Sequence, residues 1–142
     1  METAVPIEKV EKLLAALRIA RKALPQFSAR ETLKALSLCE QNDGLYSNKD
    51  FLVGFFRYHP GATFNGKALG AIVEEFDVDA LTALDLRDGP VLHIVAFVAP
   101  RCGFELFRSV VDSVNPWAVS AHRWDRQIQR FVLHRNLHWR KP

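Results

Sequence analysis

The sequence predicts a compact α+β fold, and three patterns lead to that class. Two amphipathic segments within residues 1–40 predict a helical hairpin, since their apolar residues recur at helical spacing. The near-continuous apolar run 91–98 predicts a central strand covered on both faces. Residues 117–124 and 128–133 predict a C-terminal β-hairpin. At 142 residues, the chain has the length of a single domain, in which residues 41–142 form an α/β body around a mixed, mostly antiparallel sheet.

The first predicted helix covers residues 7–24 and ends at Pro25, which cannot continue it. Ser28 and Glu31 then form a capping box, in which each side chain can accept from the other residue's backbone N–H, so a second helix is expected over 29–39. Apolar residues of the first segment fall on one stripe: Ile7, Val10, Leu13, Leu14, Leu17 and Leu24. The two helices are therefore expected to pack against each other.

The middle of the chain contains a predicted turn region and a segment whose pattern fits two structures. Residues 41–48 predict a turn region, because Asn42-Asp43-Gly44 tolerates positive φ. Residues 51–58 fit either a helical face or a strand buried on both sides. The capping-box pattern in residues 47–50 tips this prediction slightly toward a helix.

Four further elements are predicted before and after the central strand. Residues 67–76 predict a short helix, and Asp79 is expected to cap another short turn. Residues 88–90 predict a turn immediately before the strand. Residues 104–114 predict a helix that ends at Asn115-Pro116.

Several classes of protein are excluded or disfavoured by composition. The longest apolar stretch has about ten residues, whereas a membrane-spanning helix needs about 20. No secretory signal pattern opens the chain, and a cytoplasmic location without membrane association is the expectation. Cys39 and Cys102 are too few for a disulfide framework or for a zinc site built from thiolates alone. Oligomeric state leaves no signature in the sequence.

Positive charge is concentrated at the C-terminal end. The chain has a net charge of +3, but residues 122–142 contain six basic residues and one acidic residue. Such a segment can face nucleic acid, phosphorylated ligands or an acidic protein, or it can be a solvated strand edge whose charges prevent edge-to-edge pairing. We expect weak, non-specific nucleic-acid binding at most, with the arginines serving the fold or a protein partner. Four acids are available as internal partners: Glu74, Glu75, Asp77 and Asp79.

Candidate chemistry centres on the strand–turn–helix unit in residues 91–114. Backbone N–H groups at the helix start, together with Arg101, can hold a phosphate or pyrophosphate, although Gly103 also fits a purely steric role in the turn. Cys102 precedes the helix, where the dipole lowers a thiol pKa, but a small buried spacer is the simpler interpretation.

Histidines supply the candidate general bases. His93 lies inside the central strand, where it acts either as a base or as a hydrogen-bonded core residue. His59 is expected on a loop, from which it can reach a cleft or simply face solvent. His134 and His138 are four residues apart, but no third ligand is indicated, so no metal site is expected.

The run 92–103, the helix after it and the hairpin from Ala118 to Phe131 resemble the second half of a Gcn5-related N-acetyltransferase-like domain. Within that superfamily the chain looks most like phage acyltransferase-like proteins and toxin-activating lysine acyltransferases. The resemblance covers roughly residues 88–133. It implies that a central strand splays from its neighbour and that the strand's backbone holds the pantetheine arm of an acyl carrier. The next helix start would then take the pyrophosphate.

The resemblance implies an acyltransferase-like function, in which an acyl group passes from an acyl-CoA or acyl carrier to an amine. Val98, Arg101, Cys102 and Gly103 would hold the acyl-CoA, and His93 or His59 would act as the base. The family's phosphate loop is met only by Arg101 and Gly103, and Ala96 or Phe97 stands where an acidic residue is expected. These departures motivate the alternative, a non-enzymatic phage or mobile-element interaction protein that binds a host protein.

Overall fold

The computed structural model describes residues 7–23, 28–48, 51–99, 103–125 and 130–138. These residues form five helices and seven strands, an α+β architecture as the sequence predicts. The helices are α1 (Ile7–Ala23), α2 (Ala29–Gln41), α3 (Leu69–Glu75), α4 (Val78–Thr82) and α5 (Gly103–Val114). The strands are β1 (Leu45–Ser47), β2 (Leu52–Tyr58), β3 (Thr63–Phe64), β4 (Lys67–Ala68), β5 (Val91–Val98), β6 (Ala118–Asp125) and β7 (Arg130–His138).

Five of the strands form one mixed sheet in the order β1-β2-β5-β6-β7, and β3 and β4 form a separate small hairpin. In the large sheet β5 occupies the middle position, which confirms the predicted central strand. Neighbouring strands are antiparallel except β5 and β6, which are parallel. Because parallel neighbours need a crossover connection, α5 lies between them in the chain.

The predicted helical hairpin is confirmed. Ser28 caps α2, with its Oγ accepting from the Glu31 backbone N–H at 3.0 Å. An ion pair of 3.0 Å between Lys12 and Glu40 links the two helices. The two helices and the first strands of the sheet share a fully buried cluster, which we call the helical-hairpin cluster. It is formed by Ala16, Ala20, Leu36, Cys39, Leu45 and Leu52.

Helices cover β5 on both faces. On one face Val95 packs against the helical-hairpin cluster and also against the cluster built from α3 and α4. On the other face Leu92 and Ile94 pack with Val111 of α5. This double coverage explains why β5 is almost entirely apolar, since side chains on either face leave water.

The slight preference for a helix over residues 51–58 is wrong, because this stretch contains β2. It lies between β1 and β5 and is buried along nearly its whole length. A side-chain contact closes the connection before it: the Asn48 side chain accepts from the Phe51 backbone N–H at 3.1 Å. A helix cap makes the same contact over three residues, so the local pattern fits both structures.

Smaller differences concern element ends. The predicted turn over residues 41–48 contains β1, and Asp77, not Asp79, caps α4. Asn65 and Gly66 both have positive φ and connect β3 to β4, a hairpin that the sequence analysis missed. The C-terminal hairpin is confirmed, but β7 extends to His138, five residues past the predicted end.

We predict that Gly89→Ala destabilises the fold by about 2 kcal/mol or more. Gly89 has a φ of +138°, and an added Cβ would lie 2.4 Å from the Tyr58 carbonyl group. Gly61→Ala is the matched control, because nothing lies within 4 Å of a Cβ at that position. Urea unfolding of both variants tests this, and equal free energies of unfolding would contradict the constraint at Gly89.

Candidate functional site

The parallel strands β5 and β6 separate part-way along their length. Their register covers four residue pairs, from Val91 opposite Ala118 to Ile94 opposite Ala121. Beyond Ile94, β5 continues to Val98 while paired with β2, and β6 continues to Asp125 while paired with β7. The carboxyl halves of the two strands therefore form an opening in the sheet, which we call the β5–β6 opening.

A β-bulge in β5 accompanies this separation. Gly54 pairs with Ala96 and Phe55 pairs with Ile94, so Val95 has no partner in the β2 register. A bulge bends its strand and increases the local twist. Since Val95 follows directly after the last β5–β6 pair, the bend occurs where the two strands part.

Half-buried apolar residues follow the bulge. Val98 packs against the helical-hairpin cluster, whereas Phe97 packs on the opposite face, with its ring 6.0 Å from that of Phe107 in α5. Gly103 is the first residue of α5. The start of a twelve-residue helix thus follows β5 within a few residues of the opening.

The predicted binding residues divide into two groups. Val98 and Gly103 belong to the unit that borders the opening, whereas Arg101 and Cys102 lie outside the described residues. The other cysteine, Cys39, is buried, and burial raises the pKa of its thiol well above the usual range. Cys39 is therefore protonated at neutral pH and is not a candidate nucleophile.

His93 has the geometry of a core residue. Its ring is fully buried, and its Nδ1 lies 2.7 Å from the hydroxyl oxygen of Ser120, which is also buried. The two residues are opposite each other in the β5–β6 register. The rings of Phe56, Tyr58 and Phe76 surround the imidazole. Of the two roles proposed for His93, this environment supports the hydrogen-bonded core role, because no ring atom is accessible to a substrate.

His59 lies at the other end of β5. It follows Tyr58, which pairs with the first residue of β5, so it is past the amino end of that strand. Its side chain is 58% exposed, and its Nε2 lies 3.9 Å from an oxygen of Asp88, which is more exposed still. The two candidate bases are therefore not brought together at the opening.

A separate shallow groove of about 170 Å³ lies beside the small hairpin. Its polar part includes the ion pair of Lys67 with Glu75. The groove contains none of the predicted site residues; its lining includes Phe64, Asn65, Lys67, Ile72, Glu75 and Asp77. Across the described stretches, no three side chains of His, Cys, Asp or Glu come together as a metal site. None of the described helices has the length and apolarity to span a bilayer.

We predict that Ser120→Ala lowers the free energy of unfolding by about 1 to 3 kcal/mol, because it removes the partner of a buried imidazole nitrogen. Ser113→Ala is the control, since Ser113 is exposed on α5 and its replacement should change stability by about 0.5 kcal/mol at most. Chemical denaturation of both variants measures the difference. Equal stabilities would show that the contact contributes nothing net to the fold.

Comparison with known proteins found no relatives: no family model, no curated protein and no solved structure matches the chain. The resemblance to acetyltransferase-like domains therefore stays a prediction.

Proposed function

We propose that the protein is acyltransferase-like and binds an acyl-CoA or acyl carrier at the β5–β6 opening, from which the acyl group passes to an amine. The observation that carries this proposal is the end of the parallel register at Ile94 and Ala121, with both strands continuing apart. An acetyltransferase-like topology, with a splayed central pair, is part of the same proposal.

The opening suits an extended ligand that contains amide groups. Residues 95–98 and 122–125 remain in strand conformation but are not in register with each other. Backbone N–H and C=O groups that face a gap in a sheet need partners. A pantetheine arm has two amides on a flexible chain, so it can supply such partners in the way an added strand does.

The beginning of α5 suits the phosphate end of the same ligand. The first N–H groups of a helix have no partner within the helix, and the dipole favours negative charge there. Gly103 has no side chain, so a ligand can approach the helix backbone closely at that residue. Arg101 and Cys102 precede it in the sequence. In this proposal the arm lies along β5 and the pyrophosphate lies at the α5 start.

The transfer step needs a base. The amine nitrogen attacks the thioester carbonyl carbon, the C–N bond forms, the C–S bond breaks, and the carrier thiolate leaves while a base takes the proton. His59 and His93 remain the candidates by residue type. With His93 buried and His59 past the opposite end of β5, the geometry favours carrier binding more than it favours either base.

The second candidate is a non-enzymatic phage or mobile-element protein that binds a host protein. The burial of His93 and the position of His59 past the opposite end of β5 favour it, and so does an apolar stripe on α1. Ile7, Val10 and Leu14 are 74%, 41% and 54% exposed. Exposed apolar residues on one helical stripe are typical of a protein-binding surface.

We predict that acetyl-CoA or a longer acyl-CoA raises the melting temperature, because a ligand that binds only the folded state stabilises it. Gly103→Asp should weaken this binding on the order of fivefold by placing a negative charge beside the pyrophosphate. A Cβ at Gly103 meets only ordinary contacts, and an acid in the first turn favours the helix, so the unliganded variant should remain stable.

Gly103→Asn is the matched control, since it has a similar shape without the charge. If neither acyl-CoA shifts the melting temperature at millimolar concentration, or if both variants bind equally well, the proposed site is wrong. Release of free CoA in the presence of a lysine-containing peptide then tests the transfer. Binding without release, whatever the amine, would favour the non-enzymatic candidate.

A further inference from the structure

The two edges of the large sheet differ in length. At one edge, β1 has three residues, and the Lys12 ammonium of α1 lies 5.3 Å from the centre of the Tyr46 ring in that strand. At the other edge, β7 has nine residues, and among the described residues only β6 is registered with it. A long strand edge offers a row of backbone donors and acceptors for another strand.

The hairpin that forms this second edge is basic. In β6 and β7 three arginines, Arg123, Arg130 and Arg135, accompany a single acid, Asp125, which lies opposite Arg130 in the register. The register slips between Val119 and Ala121, so Arg135 falls in an irregular stretch of β7 with no registered partner. By composition, therefore, basic residues outnumber acidic residues in the two strands of the hairpin.

Three of the four acids expected to neutralise these arginines are engaged elsewhere. Asp79 lies 3.4 Å from the Lys34 ammonium, and Glu75 forms an ion pair with Lys67. The carboxylate of Asp77 accepts from the Ala80 backbone N–H. The body of the protein thus uses these three carboxylates in contacts of its own.

Edge geometry and charge together select one kind of partner. A second copy of β7 would bring like charges side by side, which disfavours self-pairing. A nucleic acid can use the charge but not the row of strand hydrogen bonds. An extended protein segment rich in Asp and Glu can use both. We propose that the outer edge of β7 binds an acidic, extended segment of a partner protein as an additional strand.

A designed peptide tests this proposal on the full chain. The probe is a peptide of alternating Glu and Val with the nine-residue length of β7, labelled for fluorescence anisotropy. We expect saturable binding, slower amide hydrogen exchange in β7, and loss of binding when alternate amides of the peptide are N-methylated, because N-methylation removes strand hydrogen bonds and keeps the charge. Arg135→Glu should weaken binding by about tenfold, whereas Arg18→Glu on exposed α1 should not.

Four results would overturn the proposal. The first is equal binding of the N-methylated peptide, which would indicate attraction by charge alone. The second is equal binding by the Arg135→Glu and Arg18→Glu variants. The third is tighter binding of an oligonucleotide than of the peptide at physiological salt, and the fourth is no binding of the peptide at all. If Arg135→Glu fails to fold by circular dichroism, the two peptides with the unmodified chain decide the question.

Discussion

Burial of β5 on both faces is the constraint on which the rest of this structure depends. A strand without a solvent face has to be apolar, and each polar group on it needs a partner inside the protein. His93 is the single polar side chain in β5, and Ser120 meets its Nδ1. This contact joins the one parallel pair among the described strands of the sheet, so it also favours the register that brings Ile94 opposite Ala121. The position of the β5–β6 opening follows from that register.

Small residues let the helical hairpin cover one of the two faces. Ala16 and Ala20 are fully buried where α1 approaches α2 and the sheet. Gly54, which has no side chain, faces Cys39 of α2, and a Cβ on Gly54 would lie 3.1 Å from the Cys39 sulfur. The sulfur therefore fills the space that Gly54 leaves. Close packing of this kind fixes the distance of α2 from β2.

The elements that could be predicted from the sequence are those whose pattern has one interpretation. Residues 91–98 are too short and too apolar for a surface helix, and Ser28 with Glu31 marks the start of α2 before a helical stripe. The prediction of a helix over residues 51–58 is wrong because dense aromatic residues fit two structures, and because Asn48 makes a contact that helix caps and hairpin loops share. Local patterns cannot separate such cases, since burial on both faces is a property of the assembled sheet.

The candidate site was less predictable than the fold. The bulge at Val95 lies in a run of apolar residues that contains no glycine, so nothing within that run marks it. Ser120 pairs with a residue 27 positions away, and sequence alone does not bring them together. The sequence predicts Asn42 in a turn, because asparagine tolerates positive φ. Its side chain instead accepts from the Leu86 backbone N–H at 2.9 Å and donates to Leu38, which ties the end of α2 to the segment before β5.

The shortness of the parallel register has a consequence for how the molecule comes apart. Seven residue pairs join β2 to β5, but only four join β5 to β6, so of the two seams that flank β5 the shorter one separates the C-terminal hairpin from the body. Native proteins open in cooperative units whose boundaries follow such seams. The hairpin of β6 and β7 is therefore the unit expected to detach first, while β1, β2 and β5 stay folded beneath the helical hairpin. Proteolytic nicking under native conditions would accordingly begin in the last third of the chain.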